Sequence, residues 1–210
     1  MTPIVLYIDE EPKALRVNGR ALQKCFGEEA EVIAIEPIMF KEKMVEVIFS
    51  YENISSIIID QKLKAAGTAN YFGTELAETI RNLDQKIPVY ILTNFSQELD
   101  ANDGNIEYVL SKDDLIDIEK VKAISIRLRR HLNIFRTITN DRNERFEALL
   151  RKSSIEGLND MELNEYKELG FYREKKILAS ELIDSEELSR KVSLVEDKLA
   201  EVKKLLGLEK

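Results

Sequence analysis

Cysteine, histidine and long apolar runs are scarce in this sequence, and two of these scarcities exclude whole classes of protein. The chain has one cysteine, Cys25, which excludes an intramolecular disulfide framework and a metal site built from several cysteines. No stretch approaches the roughly 20 apolar residues needed to span a bilayer, and no basic segment followed by an apolar run marks a secretory signal. We therefore expect a cytoplasmic protein without a membrane-spanning segment.

Basic residues are also fewer than acidic residues. The 210 residues include 39 acidic and 31 basic side chains, which gives a formal net charge of −8. An acidic surface disfavours binding to the phosphate backbone of nucleic acids, so nucleic acid is not an expected partner. The chain is 44% hydrophobic and 33% charged, a composition typical of a folded globular protein.

Five short apolar runs rich in β-branched residues predict strands. They alternate with segments whose apolar residues recur at helical spacing, a pattern that indicates an α/β fold with a doubly wound, five-stranded parallel sheet. The continuous run from Ile57 to Ile59 is typical of a strand covered on both faces. The predicted strands lie at residues 4–8, 31–35, 56–59, 88–92 and 106–110, and the predicted helices at residues 13–26, 40–51 and 73–83.

Polar residues close three of these predicted strands. Asp9 and Glu10 follow the first strand, Asp60 follows the third and Thr93 follows the fourth. In open α/β sheets, ligands bind at the carboxyl ends of the strands, so these residues are candidates for a site. At least three carboxylates brought to one edge need a cation, and carboxylate oxygens suit Mg²⁺ or Mn²⁺ rather than zinc.

The order and the strand-end placement of four motifs resemble the receiver domain of two-component response regulators. The resemblance covers residues 1–135 and implies a flavodoxin-like fold. A fifth segment, GTEL at residues 73–76, is similar to the start of the third helix of the family. The four motifs are VLYIDEEP at residues 5–12, IIID at 57–60, PVYILT at 88–93 and YVLSK at 108–112.

The resemblance implies a signalling protein rather than a classical enzyme. A sensor histidine kinase or a phosphotransfer protein would donate a phosphoryl group to Asp60. A carboxylate is a competent nucleophile only if the charge on the incoming group is neutralised, which is the role implied for a Mg²⁺ or Mn²⁺ ion and for Lys112. The implied site consists of Asp60 as acceptor, Thr93 and Lys112 on the phosphoryl oxygens, and Asp9, Glu10, Asp60 and the backbone carbonyl of Lys62 on the metal.

Several positions depart from the family pattern. Glu10 replaces the commoner second aspartate, Asn94 follows Thr93 where a small residue is usual, and Asp113 stands where proline is common. The segment at residues 94–105 is short and polar, which leaves little room for a normal fourth helix.

The switch aromatic is also displaced. The place three residues before the lysine is Val109, and the aromatic Tyr108 lies one residue further back. Strand alternation would send Tyr108 to the opposite face. These departures favour a second hypothesis, in which the receiver is degenerate and serves as a constitutive protein-interaction or dimerisation module.

The remainder of the chain has a helical pattern. Residues 120–151 predict one long helix and residues 153–159 a break. We therefore divide the chain into a receiver domain at 1–135 and a helical extension at 136–210, into which the last receiver helix could continue. A coiled-coil seam at 188–206 would form a homodimer, the favoured alternative, or pack on the long helix. The seam consists of Leu188, Val192, Val195, Leu199, Val202 and Leu206.

Three further functional hypotheses concern the helical extension at residues 136–210, called the tail below, and His131. We expect it to contact an effector protein whose identity the sequence does not give. A short helix-turn-helix at residues 158–182 would make the protein a DNA-binding regulator, but the acidic charge argues against it. His131 lacks the acidic residue and the proline that follow phospho-acceptor histidines in kinases, so we expect an ordinary helix residue there.

Overall fold

The computed structural model describes residues 2–64, 67–94 and 106–173. In this part of the chain, five parallel strands form one sheet in the order β2-β1-β3-β4-β5. This is the strand order of the flavodoxin-like doubly wound fold, so the predicted fold class is confirmed. The strands are β1 (Ile4–Ile8), β2 (Glu31–Ile35), β3 (Ile54–Asp60), β4 (Val89–Thr93) and β5 (Tyr108–Ser111).

Helices cover both faces of the sheet. The second and third helices pack on one face, together with Phe135. The first helix and the start of the fourth pack on the other face. Ile57, Ile58 and Ile59 are fully buried, as the continuous apolar run predicts. The helices are α1 (Pro12–Phe26), α2 (Lys41–Ser50), α3 (Gly73–Leu83), α4 (Ile118–Ile155) and α5 (Asp160–Arg173), and a short 3-10 helix spans Asp113–Leu115.

Helix α4 runs from the sheet into the extension. Its 38 residues are about 57 Å long at the usual rise per residue. The carboxylate of Asp117 caps the first turn by accepting from the backbone N–H of Glu119 at 2.9 Å. The helix ends at Ile155, and Gly157, with φ of 81°, turns the chain into α5. Because α4 crosses residue 135 without a break, the division into two domains stays a prediction.

Helix α5 returns along α4. Arg145 pairs with Glu165 at 2.7 Å, Lys152 pairs with Glu162 at 2.5 Å, and the ring of Phe146 stacks on that of Tyr166 with 4.7 Å between centroids. The two helices therefore form a hairpin.

Several predictions fall beyond this part of the chain. The seam at residues 188–206 lies outside the described residues, as does most of the 94–105 segment and the end of the 158–182 segment. Dimerisation and the helix-turn-helix therefore stay predictions. Within residues 2–64, 67–94 and 106–173, every helix is too short or too polar to span a bilayer.

Candidate functional site

The carboxyl ends of the parallel strands bring four of the predicted site residues to one edge of the sheet. Asp9 follows β1, Asp60 ends β3, Thr93 ends β4 and Lys112 follows β5. The backbone N–H of Lys112 donates to the carbonyl of Thr93 at 3.0 Å, which continues the β4–β5 ladder by one residue. Asp9, Asp60 and Thr93 are buried, whereas the side chain of Lys112 retains 16% of its exposure.

Lys112 bridges the two aspartates. Its Nζ lies 2.9 Å from Asp9 Oδ2 and 2.7 Å from Asp60 Oδ1. Burial opposes the charge of the ammonium, but its hydrogen bonds to Asp60 and Asp9 outweigh burial and raise the pKa of Lys112. Burial also raises the pKa of Asp60, and Asp9 adds to this shift, whereas Lys112 counteracts it. The ammonium therefore offsets part of the cost of two buried carboxylates.

Asp9 has further donors besides Lys112. The hydroxyl of Tyr7 donates to Asp9 Oδ2, and the backbone N–H of Glu11 donates to Asp9 Oδ1 at 2.9 Å. Asn18 Nδ2 donates in turn to the Tyr7 hydroxyl at 3.1 Å. Burial, the hydrogen bond to Asp9 and the negative charge of Asp9 together raise the pKa of Tyr7 far above its usual range. The Tyr7 hydroxyl therefore stays protonated and remains a donor.

Glu10 differs from Asp9 because one of its oxygens has no partner. Glu10 Oε2 is buried and accepts no hydrogen bond. Burial, with smaller contributions from Asp60 and Asp9, raises the pKa of Glu10. A buried carboxylate oxygen without a donor is costly, and a cation beside it would remove that cost.

One observation supports the predicted metal ligands, and a second does not. The unpartnered Glu10 oxygen beside two aspartates suits a hard cation. As arranged here, however, the described residues contain no group of three or more acidic, histidine or cysteine side chains that could hold an ion. Lys112 Nζ is bonded to both Asp9 and Asp60. Metal binding therefore stays a prediction.

The loop after β3 is fixed by backbone contacts. The N–H of Lys62 donates to Asp60 Oδ2 at 2.6 Å, so both oxygens of Asp60 have donors. The N–H of Gly73 donates to the carbonyl of Gln61 at 3.1 Å. A Cβ on Gly73 would lie 2.2 Å from the carbonyl oxygen of Asp60, so only glycine fits.

A cavity of about 230 Å³ adjoins Lys112. Asn94 and Asp113, two of the departures from the family pattern, line it beside residues of α1. Asp113 begins the 3-10 helix, and Lys112 immediately precedes it. The replacement of proline by Asp113 therefore coexists with a lysine that reaches both aspartates.

Tyr108 and His131 lie away from the acidic edge, by which we mean the sheet edge that carries Asp9, Asp60 and Lys112. Tyr108 is 45% exposed, and the guanidinium of Arg127 lies 4.1 Å from its ring centre, whereas Val109 packs against the opposite core cluster, as alternation predicts. His131 Nδ1 lies 2.7 Å from the Tyr90 hydroxyl. His131 is thus a partly buried helix residue.

Sequence reasoning missed the parts played by Tyr7, Asn18 and Gly73. One feature of the sequence points to Tyr7, because it is a polar residue in an apolar strand. It also lies two positions before Asp9 and therefore on the same face of the strand. No feature of the sequence points to Asn18, because its partner Tyr7 is 11 residues away on another element. Gly73 marks the start of α3, but its close approach to Asp60 is a tertiary property.

Known proteins resemble this chain in fold. TrrA, a response regulator from Thermotoga maritima solved with Mg²⁺ and BeF, is 18% identical over 62% of this chain and 99% of its own, with a TM-score of 0.47. A CheY-like receiver domain from Methanospirillum hungatei is 14% identical over 65% and 98%, with a TM-score of 0.48. The constitutive lysine decarboxylase of E. coli is 13% identical over 76% and 21%, with a TM-score of 0.45.

No family model and no curated protein sequence matches the chain. Several further neighbours are also response-regulator receiver domains. Their low identities and TM-scores limit the likeness to fold. Inferences about chemistry therefore depend on the geometry of the acidic edge.

Proposed function

We propose that the protein is a receiver that accepts a phosphoryl group on Asp60 from a sensor histidine kinase or a phosphotransfer protein. The observation that carries the proposal is the placement of Lys112 Nζ, 2.7 Å from Asp60 Oδ1 and 2.9 Å from Asp9 Oδ2. An ammonium at this position is available to neutralise charge on a phosphoryl group that arrives at Asp60.

The reaction forms one bond and breaks another. A carboxylate oxygen of Asp60 attacks phosphorus, the bond from phosphorus to the donor nitrogen breaks, and the departing nitrogen takes up a proton. The product is an acyl phosphate, which water later hydrolyses. Lys112 and the hydroxyl of Thr93 would contact the phosphoryl oxygens.

The site would also hold Mg²⁺ or Mn²⁺. Asp9, Glu10, Asp60 and the backbone carbonyl of Lys62 would be its ligands, and the unpartnered Glu10 oxygen supports this assignment. When bound, the ion would supply positive charge to the phosphoryl group and to the acidic cluster.

Phosphorylation with a small donor tests the proposal. Intact mass is measured after incubation with Mg²⁺ and acetyl phosphate or phosphoramidate, and the parent should gain one phosphoryl group that base removes. Asp60→Asn should remove this gain. Asp84→Asn is the matched control, because Asp84 is also a buried carboxylate but lies at the end of α3 and pairs with Arg142. Stable labelling of the Asp60→Asn variant would contradict the assignment.

Output would pass through protein contacts of the helical tail. Only the 3-10 helix and two further residues separate Lys112 from α4, and Leu115 packs in the same core cluster as α4. A movement of Lys112 on phosphorylation would therefore take place next to α4, the helix that continues into the tail.

The second candidate is a constitutive interaction module. The exposed Tyr108 under Arg127 favours it, because the family's switch position is occupied by Val109. Hydrogen exchange of residues 118–155 with and without phosphodonor separates the candidates. A signalling receiver should change its exchange on phosphorylation, whereas a constitutive module should not.

A further inference from the structure

Tyr7 stands in a place where packing does not require a polar residue. It is fully buried on β1, a strand with neighbours on both sides, where parallel sheets ordinarily place Val, Ile or Leu. A buried hydroxyl costs free energy unless it is hydrogen-bonded. The ring packs in the cluster under α1, but the hydroxyl reaches the acidic edge.

The direction of the hydrogen bonds follows from the groups involved. Asn18 Nδ2 can only donate, and it donates to the Tyr7 oxygen at 3.1 Å. The single hydrogen of the Tyr7 hydroxyl is therefore free for Asp9 Oδ2. Asn18 is itself buried on α1, so this pair connects the helix to the acidic site.

These bonds fix the carboxylate of Asp9. Oδ1 is held by the N–H of Glu11 at 2.9 Å, and Oδ2 is shared by Tyr7 and by Lys112 at 2.9 Å. Without Tyr7, Oδ2 would keep only Lys112, whose long side chain is flexible. Glu10, in contrast, retains an oxygen without any donor.

We infer that Tyr7, anchored by Asn18, is a positioning residue that holds Asp9 in the orientation that keeps Lys112 against Asp60. The inference deepens the proposed function, on which its consequence for phosphorylation rests. Asp9 is then held in place for both the lysine and the proposed cation, and Glu10 keeps an oxygen available to that cation.

A pair of tyrosine variants tests this role. Tyr7→Phe removes the donor to Asp9. Tyr90→Phe is the matched control, because Tyr90 is equally buried in the same cluster but its hydroxyl bonds His131 at 2.7 Å. The first measurement is the NMR signal of the Lys112 side chain in metal-free protein. The second is the rate of Asp60 phosphorylation by acetyl phosphate with Mg²⁺.

Tyr7→Phe should shift the Lys112 signal and slow phosphorylation about tenfold to a hundredfold, as losses of supporting groups around metal sites do. Tyr90→Phe should change neither. An unchanged Lys112 signal in Tyr7→Phe, or equal rate losses in both variants, overturns the inference. A shifted signal in a protein whose parent is never phosphorylated supports the positioning role and overturns the proposed function.

A second variant covers the case in which Tyr7→Phe does not fold. Asn18→Ala keeps the Tyr7 hydroxyl but removes its anchor, so it should shift the Lys112 signal in the same way. An unchanged signal in Asn18→Ala would then overturn the inference.

Discussion

At the scale of single residues, the acidic edge is a problem of buried charge. Asp9 and Asp60 are both buried, and isolated carboxylates there would be costly. Lys112 provides the compensating charge, and the N–H groups of Glu11 and Lys62 supply further donors. The site thus combines strong local charge with a fixed geometry, which is the preorganisation that the proposed phosphoryl transfer would need.

Gly73 allows a first prediction at this scale. Gly73→Ala would place a Cβ 2.2 Å from the Asp60 carbonyl, so the loop must move and the free energy of unfolding should fall by about 1–3 kcal/mol. Urea denaturation measures this loss. Gly19→Ala is the control, because its Cβ would meet Ala34 at an ordinary 3.6 Å and alanine favours helix. Equal stability of the two variants would contradict the proposed steric constraint.

The sequence predicts the residues that end strands better than the residues that support them. Asp9, Asp60 and Lys112 follow apolar runs, so their meeting at one edge could be predicted from strand order alone. The role of Asn18 could not, because it depends on how α1 lies against β1. Supporting contacts of this kind are set by tertiary packing, which local patterns do not contain.

At the scale of elements, the central strands were the easiest to predict because they are apolar on both faces. The start of β3 is less clear from the sequence, since the apolar run predicts a strand from Ser56 whereas the strand begins at Ile54. Ser55 and Ser56 are buried, and their hydroxyls donate to the carbonyls of Asn53 and Pro88. Ser55 therefore interrupts the apolar pattern at the start of a strand to which it belongs.

Helix α4 is attached to the body of the fold partly through Arg142. Its Nη1 lies 3.5 Å from the buried Asp84 Oδ1, and its guanidinium lies 3.8 Å from the ring centre of Tyr172 in α5. Arg142→Met should lower the free energy of unfolding by about 2 kcal/mol, because Asp84 loses a charged partner away from water.

Thermal or urea unfolding of Arg142→Met measures this effect. Arg145→Met is the matched control, since its pair with Glu165 is exposed and should contribute less. Equal losses in the two variants would mean that Arg142 does not attach the tail to the body.

At the scale of the whole molecule, the tail leaves apolar surface uncovered within the described residues. Helix α5 has no buried residue, and Ile155, Met161 and Leu163 are exposed. The hairpin with α4 therefore does not bury all of the apolar side chains of the extension. Isolated helices of this length are marginal in water, so further packing partners are expected.

The seam at residues 188–206 is the predicted source of such packing, as a homodimer. Val195→Glu with Leu199→Glu would bury unpaired charge in the seam, so dimers should become monomers in light scattering. Ser193→Glu with Ala200→Glu is the control, because it adds the same charge outside the seam and should leave dimers intact. A parent that is monomeric at micromolar concentrations contradicts the homodimer. If that monomer loses helical signal and melts earlier only in the seam variant, the seam packs within one chain instead.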